Sequence, residues 1–457
     1  MFSLAFETAL RSIVRTPGVS LLVIMAIALG VGMTMPMVTL YHNSNGNPYP
    51  DTGDKMYRVL IDNWFLDQIF WFTAPDMPTE IMTARDARVL MRSDIPTKVA
   101  ASYEAQQYIR SVDPEMGVKP FASAIRVTTS GFFEMFEVPM RFGAAWGSNA
   151  DGSNENIAVI SHSTNLTLFG GGDNVGRDFK IGDQIYTVVG IMHAWSLAPR
   201  VYDLTQTSAR TEGVFVPLSD FQRSRLKPGR FVSLEGSPSN EFGLDFLGGE
   251  TIFANLWVQL DTKEQVQSYR DFMDSYVKEQ KKLGRLPRPT NNRLYSATEW
   301  IVVAPVNAQQ RDIYKTFILV GVLFLVVCLF NLLSLLLSKF MSITPQACVT
   351  RALGATRADI FLQYVVEVLV LGVVGGLLSI YVSKAALFGI VWVYIENLPP
   401  EFKQIQSQVG VESPYVQFDT TLLVMSFCLA LLAALVSALY PAWRACRVPP
   451  AEHLKVN

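Results

Sequence analysis

The sequence predicts an α-helical membrane protein with four transmembrane helices and a large mixed α/β domain inserted between helices 1 and 2. Half of the 457 residues are apolar and only 17% are charged, which is unusual for a soluble globular chain. Four apolar runs each reach the roughly 20 residues that a helix needs to cross the hydrocarbon core of a bilayer. The polar stretch 42–315, which separates the first run from the second, has the length of a folded domain.

These observations divide the chain into consecutive segments. The predicted segments are an amphipathic, interfacial helix at 1–18, transmembrane helix 1 at 19–41, the α/β domain with two subdomains at 42–315, transmembrane helix 2 at 316–338, a basic loop at 339–358, transmembrane helix 3 at 359–383, a connection at 384–419, transmembrane helix 4 at 420–442 and a tail at 443–457.

The charges of the short segments predict the orientation. The loop 339–358 carries Lys339, Arg351 and Arg357, and the tail is also basic, whereas the connection 384–419 is net acidic. Short segments rich in Lys and Arg stay on the cytoplasmic side of a membrane. The loop, the tail and the N-terminus are therefore predicted inside, and the α/β domain is predicted outside the cytoplasm.

The N-terminal segment has the periodicity of an amphipathic helix. Ala9, Ile13 and Val14 fall on its apolar face, and Ser12 and Arg15 fall on its polar face. Such a helix either lies in the membrane interface or covers a protein surface, and the apolar run that follows favours the interface. No A-x-A-like site follows that run, so we predict an uncleaved anchor and not a signal peptide.

The α/β domain is predicted from alternating apolar segments and turn residues. Asp183-Gln184, between two short apolar runs, predicts a hairpin, and 223–249 is predicted to be a loop because it is rich in Gly, Ser and Pro. Strands are predicted at 127–136, 156–161, 186–192 and 255–260, and a charged helix at Lys263–Lys282.

The motifs of several enzyme classes are missing. The chain has no Walker A loop, HExxH, GxSxG or GxGxxG motif, and its four histidines have no metal-ligand spacing. We therefore predict no catalytic, cofactor-binding or metal-binding residues and no enzymatic activity in this chain. A formal net charge of −2 gives no indication of nucleic-acid binding, and the domain 42–315 contains no cysteine that would require oxidative folding.

Transmembrane helix 3 carries an acid and a glycine motif. Glu367 lies within a predicted span, where a carboxylate is costly, so it has either a hydrogen-bonding partner on a neighbouring helix or a direct functional role. Gly372 and Gly376 have GxxxG spacing, with Gly375 beside them. Small residues at this spacing let helices approach closely, so all four residues are predicted to act in helix packing.

Several stretches of the chain resemble one family in their order along the sequence. The stretches are RSIVRTPGVSLLVIMAIALGVG, VTTSGFFEMFEVPMRFGAAW, NIAVISHSTNLTLFGG, VGRDFKIGDQIYTVVGIM, RALGATRADIFLQYVVEVLVLGVVGGLLS and PAWRACRVPPAEHLK. They resemble segments of FtsX/MacB-type ABC transporter permeases, including the RALGA turn, the C-terminal PAxRAxxxxPAExL pattern and blocks of the MacB-like periplasmic domain. The resemblance covers most of the chain.

The resemblance implies a permease of the bacterial inner membrane that works with a separate ABC ATPase. It implies a homodimer, or a heterodimer with a second permease, and in some members a periplasmic adaptor and an outer-membrane channel. Such a permease converts ATP hydrolysis into movement of its periplasmic domain, called mechanotransmission, for efflux of peptides, antibiotics or similar compounds. The alternatives are a lipoprotein-releasing permease and a non-transporting envelope sensor or scaffold that signals through an ATPase. Membrane lipid is an implied partner, and nucleic acid is not.

The resemblance also implies which residues contact the ATPase. In the loop 339–358, which it identifies as the coupling loop, these are Arg351, Ala352, Leu353, Gly354, Ala355, Thr356 and Arg357. The tail from Arg444 is expected to contact the ATPase as well, and the C-terminal motif is carried by Pro441, Arg444, Arg447 and Pro450. One stretch departs from the family pattern, because Pro345 and Gln346 stand where members usually carry Arg and Glu. The lost charges lead to the hypothesis of a heterodimer in which the partner permease keeps the full motif.

Overall fold

The computed structural model describes residues 2–64, 76–113, 117–153, 155–195, 197, 199–204, 212–218, 226–229, 251–396 and 420–447. These residues form two compact units. A helical unit comprises Met1–Asn43, Arg311–Glu396 and the last long helix, and an α/β unit comprises Ser44–Gln310. The described helices are α1 (Phe2–Arg15), α2 (Pro17–Asn45), α3 (Ala84–Leu90), α4 (Gly131–Met135), α5 (His162–Phe169), α6 (Lys263–Lys282), α7 (Ala297–Val303), α8 (Pro305–Ala352), α9 (Arg357–Glu396) and α10 (Thr420–Cys446).

Four of the described helices contain stretches long and apolar enough to cross a membrane. These stretches are Pro17–Asn45, Arg311–Pro345, Arg357–Ile390 and Thr420–Cys446. Apolar side chains occupy both the buried and the exposed sides of these helices, as expected where one side meets protein and the other meets lipid. Their shared core contains Val23, Ile27, Leu336, Leu371 and Ala434.

The N-terminal helix differs from the predicted amphipathic arrangement in two residues. Ser12, predicted on the polar face, is buried, whereas Val14, predicted on the apolar face, is 76% exposed. Ile13 packs at the edge of the helical core and Ala9 is fully buried. The buried face of α1 is therefore rotated towards Ser12, because α9 supplies a polar partner at that position.

The predicted loop 339–358 is mostly helical, so this prediction was wrong in its extent. α8 continues without a break to Ala352, and α9 begins at Arg357, which leaves only Leu353 to Thr356 as a turn. Pro345 lies within α8. Lys339, which contributed to the predicted positive charge of the loop, is a buried residue of α8.

The α/β unit contains one mixed sheet. Its strands are β1 (Met56–Leu60), β2 (Met82–Thr83), β3 (Lys98–Ser111), β4 (Phe121–Thr128), β5 (Met140–Gly143), β6 (Ile157–Ile160), β7 (Asp178–Ile181), β8 (Gln184–Met192), β9 (Val214–Pro217), β10 (Ile252–Gln259) and β11 (Arg293–Ser296). Their order is β11-β1-β10-β3-β4-β9-β6-β8-β5, with β2 on β10 and β7 on β3 and β8. The pairs β4–β9 and β6–β8 are parallel, and the other pairs are antiparallel.

The two faces of this sheet carry two hydrophobic clusters. Ala100 and Ala101 are neighbours on β3 and belong to different clusters, as the alternation of side chains along a strand requires. Helix α6 packs on one face through Tyr269 and Met273. On the other face, α4 and α7 supply an aromatic cluster that includes Trp300. All the described strands of the unit belong to this one sheet, so their pairing gives no counterpart to the two predicted subdomains.

The predicted strand at 127–136 was wrong in its second half. β4 ends at Thr128, and Gly131–Met135 is helical. Phe132 and Phe136 stand four residues apart, which places both on one face of a helix, and their rings lie 4.8 Å apart in the aromatic cluster. A strand would also have kept Phe132 and Phe136 on one face, but it would have placed Phe133, whose ring lies 4.7 Å from that of Trp146 in the same cluster, on the other face.

The other predicted elements lie close to their predicted positions. The structure places β6, β8 and β10 at the predicted strands 156–161, 186–192 and 255–260, and Gly182 and Asp183 connect β7 to β8 as a hairpin. Helix α6 has the predicted bounds and begins with a capping box between Thr262 and Gln265. Most of the predicted loop 223–249 lies outside the described residues, as do 397–419 and 448–457.

Candidate functional site

The turn between α8 and α9 begins with a well-defined helix end. Gly354 has a φ of 109°, in the left-handed region that favours glycine. The N–H of Gly354 donates to the carbonyl of Arg351 at 3.0 Å, and the N–H of Ala355 donates to the carbonyl of Thr350 at 3.2 Å. This pair of bonds is a Schellman motif, which explains why α8 stops here after its long run.

The other side of the turn is a reciprocal N-cap. The N–H of Asp359 donates to the hydroxyl of Thr356 at 3.2 Å, and the N–H of Thr356 donates to the carboxylate of Asp359 at 2.9 Å. The Thr356 hydroxyl also donates to that carboxylate at 2.6 Å. Such a capping box satisfies two of the free N–H groups at a helix start. The turn is thus held rigidly at both ends.

The turn presents one large apolar side chain to its surroundings. Leu353 is 84% exposed, the highest value among the exposed large apolar side chains of the described residues. Arg357 and Thr356 beside it are exposed, and Ala355 packs against the helical core. The side chain of Ala352 lies outside the described part of the chain. The result is a rigid tip with an apolar centre and a basic flank.

The end of α10 lies against the end of α8. The guanidinium of Arg351 donates to the carbonyl of Cys446 at 3.4 Å. Arg444 donates to the hydroxyl of Tyr440 at 2.9 Å, and the Arg447 guanidinium lies 3.9 Å from the centre of the Trp443 ring. The structure therefore brings the RALGATR turn and the first part of the C-terminal motif together. Pro441 is buried within α10, and Pro450 lies outside the described residues.

A buried ion pair connects α8 to α9 inside the helical unit. Lys339 Nζ lies 2.6 Å from Glu367 Oε1, and neither side chain is accessible to solvent. The hydroxyl of Ser12 donates to the same carboxylate oxygen at 2.8 Å, and Lys339 Nζ donates to the hydroxyl of Ser20 at 2.8 Å. We call Ser12, Ser20, Lys339 and Glu367 the buried polar cluster. It joins α1, α2, α8 and α9.

Sequence reasoning identified Glu367 but missed its partner. The predicted loop 339–358 includes Lys339. If α8 is instead continued to the RALGATR turn, Lys339 and Glu367 fall on the two arms of one helical hairpin. Lys339 then lies about four helical turns before the turn and Glu367 about three turns after it. Residues at similar distances from the turn of a helical hairpin lie side by side. This spacing is the sequence feature from which the Lys339–Glu367 pair could have been predicted.

Three of the four glycines of α9, Gly372, Gly375 and Gly376, lie where the helix meets its neighbours. A Cβ on Gly372 would lie 3.0 Å from Ala434 of α10, and one on Gly376 would lie 3.1 Å from Phe427 of α10. On another side of the helix, a Cβ on Gly375 would lie 2.9 Å from Ile27 of α2. Close helix approach therefore depends on the missing side chains at these positions.

The α/β unit holds a second buried charge cluster. Arg126 donates to Glu212 at 2.8 Å through Nε and to Asp203 at 2.8 Å through Nη2, and Tyr202 donates to Glu212 at 2.8 Å. Arg200 lies 3.4 Å from both Glu104 and Glu212. Burial alone would raise the pKa of Glu212, but the guanidiniums of Arg126 and Arg200 outweigh burial and lower it. Burial raises the pKa of Glu104, and the same guanidiniums only partly offset this effect.

The described part of the α/β unit also contains an open cavity of about 230 Å³. Arg88, Arg92 and Asp151 line it together with small apolar side chains such as Ala87 and Ala101. Asp151 accepts hydrogen bonds from Ser130 and Trp146. Among the residues that the structure describes, no three His, Cys, Asp or Glu side chains lie close enough together to hold a metal ion.

Comparison with known families decides the relationship. The model of the MacB-like periplasmic core domain matches residues 20–275, which is more than half of the chain, and the model of the FtsX-like permease C-terminal region matches residues 318–450. The chain belongs to the MacB/FtsX-type ABC transporter permeases. Among curated proteins, none matches the sequence.

Two solved structures of other proteins match part of the chain. The periplasmic region of MacB from Actinobacillus actinomycetemcomitans is 11% identical with a TM-score of 0.35, and the match covers 55% of this chain and 93% of that one. The extracellular domain of the noncanonic ABC-type transporter YknZ from Gram-positive bacteria is 15% identical with a TM-score of 0.33, and the match covers 52% and 99% of the two chains.

Family membership establishes the general role of this permease. It is the permease component of an ABC transporter and a membrane protein with four apolar helices and a MacB-like α/β domain. MacB/FtsX-type proteins work with an ABC ATPase as a partner. The family domains are themselves non-catalytic.

Proposed function

We propose that this permease receives movement from its ATPase at the α8–α9 turn and transmits it along the helices to the α/β domain. The observation that carries this proposal is the rigid turn with Leu353 exposed at its tip. An apolar side chain on a rigid support fits a pocket on a partner at low entropic cost. Arg351 to Arg357 would form the contact, and Arg444 and Arg447 at the end of α10 would extend it.

In this proposal the turn and the tail lie in the cytoplasm and the α/β domain lies in the periplasm of a bacterium. The basic residues of the turn and the α10 end support this orientation, although Lys339 does not contribute to it because it is neutralised by Glu367. The inner membrane is the bilayer in which a cytoplasmic ATPase and a periplasmic domain can belong to one machine. The predicted segments, with the basic loop reduced to the turn Leu353 to Thr356, are part of this proposal.

The permease is proposed to act as a dimer through α8. Only 11% of the apolar window of α8 is buried within the chain, compared with 39% to 50% in the other three membrane helices. This helix therefore has a wide exposed apolar face for lipid and for a second permease chain. The departure at Pro345 and Gln346 favours a heterodimer, in which the second chain keeps the charged motif.

The proposed outcome of this movement is efflux of peptides, antibiotics or similar compounds, with a periplasmic adaptor and an outer-membrane channel as further partners. The MacB-like core domain supports this assignment. Deletion of the gene is expected to increase sensitivity to such compounds. Retention of lipoproteins in the inner membrane would instead support lipoprotein release, and a changed envelope response without altered efflux would support sensing.

The coupling proposal is tested by Leu353→Asp in the full chain. The variant is expected to lose the co-purifying ATPase, because a charge at the tip cannot enter an apolar pocket without a large desolvation cost. Affinity purification from membranes measures how much ATPase remains associated with the permease. ATPase assays in proteoliposomes then measure the activity of the purified complex. Leu283→Asp is the matched control, since Leu283 is 73% exposed at the end of α6 in the α/β unit. Unchanged association in Leu353→Asp would contradict this role for the turn.

A further inference from the structure

The buried polar cluster joins segments that are distant in sequence. Ser12 of α1 and Lys339 of α8 both contact Oε1 of Glu367 on α9, at 2.8 and 2.6 Å. Lys339 also donates to Ser20 near the start of α2, and Ser20 donates to the carbonyl of Ile13 at 3.4 Å. One carboxylate and one ammonium group therefore connect the N-terminal helix to the helical hairpin that carries the turn.

The cluster is an expensive way to hold helices together. Charges in a membrane helix are costly unless they are paired, and a buried ion pair is often no more stable than apolar residues of similar volume. Moreover, Oε2 of Glu367 accepts no hydrogen bond from any residue that the structure describes. Apolar side chains would provide adhesion without this cost. Stability alone therefore does not account for the cluster.

Its position suits the transmission of movement. Along α9, Glu367 lies roughly 15 Å from the first residue of the helix, and along α8, Lys339 lies roughly 20 Å from the turn, because a helix rises about 1.5 Å per residue. Continuous helices carry displacement over such distances as rigid bodies. A displacement of the turn thus reaches the cluster along both arms of the hairpin.

The environment of α1 differs from that of a passive interfacial anchor. The face of α1 that includes Ala9 and Ser12 is buried against the protein, whereas Arg11 and Val14 are exposed. An anchor that only lies on lipid has no use for a buried serine bonded to a carboxylate. Among the described residues, the hydroxyl of Ser12 makes the one side-chain hydrogen bond from α1 to Glu367.

We propose that α1 is a moving part of the coupling mechanism, held to α9 by the Ser12–Glu367 bond and to the α8–α2 contact by Lys339 and Ser20. When the ATPase displaces the turn, the cluster passes this displacement to α1 and to the start of α2. This inference rests on the proposed function of the turn. It assigns Ser12, Ser20 and Lys339 as positioning residues, which act through the helices and not through contact with the ATPase.

The test uses the full chain in nanodiscs together with the ATPase that co-purifies with it. Hydrogen exchange of the α1 amides is measured with ADP and with a non-hydrolysable ATP analogue. In the unmodified chain, we expect exchange within α1 to change with the nucleotide. In Ser12→Ala, we expect about tenfold faster exchange of these amides, as the loss of one hydrogen bond to a charged group implies, and no further response to nucleotide.

Two further variants guard against a simple folding defect. Lys339→Met is expected to remove the nucleotide response of α1, and the exchanged pair Lys339→Glu with Glu367→Lys is expected to restore part of it. Ser338→Ala and Lys384→Met are the matched controls, because both residues are exposed on the same two helices. They are expected to respond like the unmodified chain.

The outcomes separate this inference from the proposed function. If the ATPase co-purifies but the exchange of α1 does not respond to nucleotide, the inference is wrong and the proposed function stands. A nucleotide response that persists unchanged in both Ser12→Ala and Lys339→Met also overturns the inference. If no ATPase co-purifies with the unmodified chain, the proposed function and the inference fall together.

Discussion

At the scale of single residues, both units bury charged side chains in ion pairs. Lys339 was counted as a surface charge of a cytoplasmic loop, yet it is buried and paired with Glu367. In the α/β unit, two arginines face three acids, and the acids are not equivalent. Glu212 accepts a hydrogen bond from Arg126 at 2.8 Å and also lies 3.4 Å from Arg200, and its pKa is lowered. The pKa of Glu104 is instead raised by burial. The environment of a charge thus decides whether it stabilises the fold.

This difference predicts opposite effects of two amide substitutions. Glu212→Gln is expected to lower the free energy of unfolding at pH 7 by about 3–5 kcal/mol, as breaking a buried pair does. Glu104→Gln is expected to leave it unchanged or to raise it slightly, because the substitution removes a buried charge that its neighbours only partly compensate. Thermal unfolding of the full chain in detergent, followed by tryptophan fluorescence, measures both effects.

The pH dependence of these two variants follows from the sign of each shift. The folded pKa of Glu212 lies below its ordinary value of 4.5, so its contribution is present above that pH and is lost as the pH falls through the folded pKa. The deficit of Glu212→Gln should therefore shrink in acid. The folded pKa of Glu104 lies above 4.5, so any advantage of Glu104→Gln should appear only as the pH rises. Parallel pH profiles for the two variants would contradict this assignment.

At the scale of elements, helix α9 organises the helical unit. It contacts α10 through Gly372 and Gly376, α2 through Gly375, and α1 and α8 through Glu367. The apolar sequence predicted this helix, and its glycine spacing predicted close packing. Which neighbouring helix each glycine faces depends on how the other helices are arranged. The glycine spacing in α9 contains no information on that arrangement.

The glycine contacts predict a selective packing defect. Gly375→Val is expected to destabilise the helical unit by about 1–3 kcal/mol, the usual cost of overpacking, because its Cβ would lie 2.9 Å from Ile27. Gly389→Val on the same helix is the control, since no described atom lies within 4 Å of its Cβ. Thermal stability of the purified chain in one detergent compares the two variants. Equal losses would show that backbone effects, and not the contact with α2, cause the defect.

At the scale of the whole molecule, the unequal burial of the membrane helices bears on assembly. Little of the apolar stretch of α8 is buried within the chain, although this helix carries the turn that we propose to meet the ATPase. A long helix that receives force gains mechanical support from a second chain packed along it. The proposed dimer would therefore support the transmission of movement along α8, in addition to burying the exposed apolar face of this helix.

The dimer proposal predicts a specific cross-link. Val327→Cys on α8, where the side chain is 56% exposed, is expected to form a disulfide-linked permease dimer in membranes after mild oxidation, once the native cysteines are replaced. Val436→Cys on α10 is the control, because its exposure of 53% is similar but it is expected to face lipid. The products are resolved by non-reducing electrophoresis. Cross-linking at Val436 but not at Val327 would place the interface on α10.

The sequence by itself identified the four membrane helices, the basic residues Arg351 and Arg357 at the turn, and the motifs shared with the permease family. Helix length, hydropathy and motifs are all properties of contiguous residues. It also predicted several strands of the α/β unit, and it failed at 127–136, where aromatic residues suit a strand as well as a helix. Only the tertiary structure decided that Lys339 pairs with Glu367, that Ser12 belongs to the buried face of α1, and that Arg351 contacts Cys446. These contacts join residues far apart in the chain, and their energies depend on how deeply the groups are buried. A local sequence pattern contains neither kind of information.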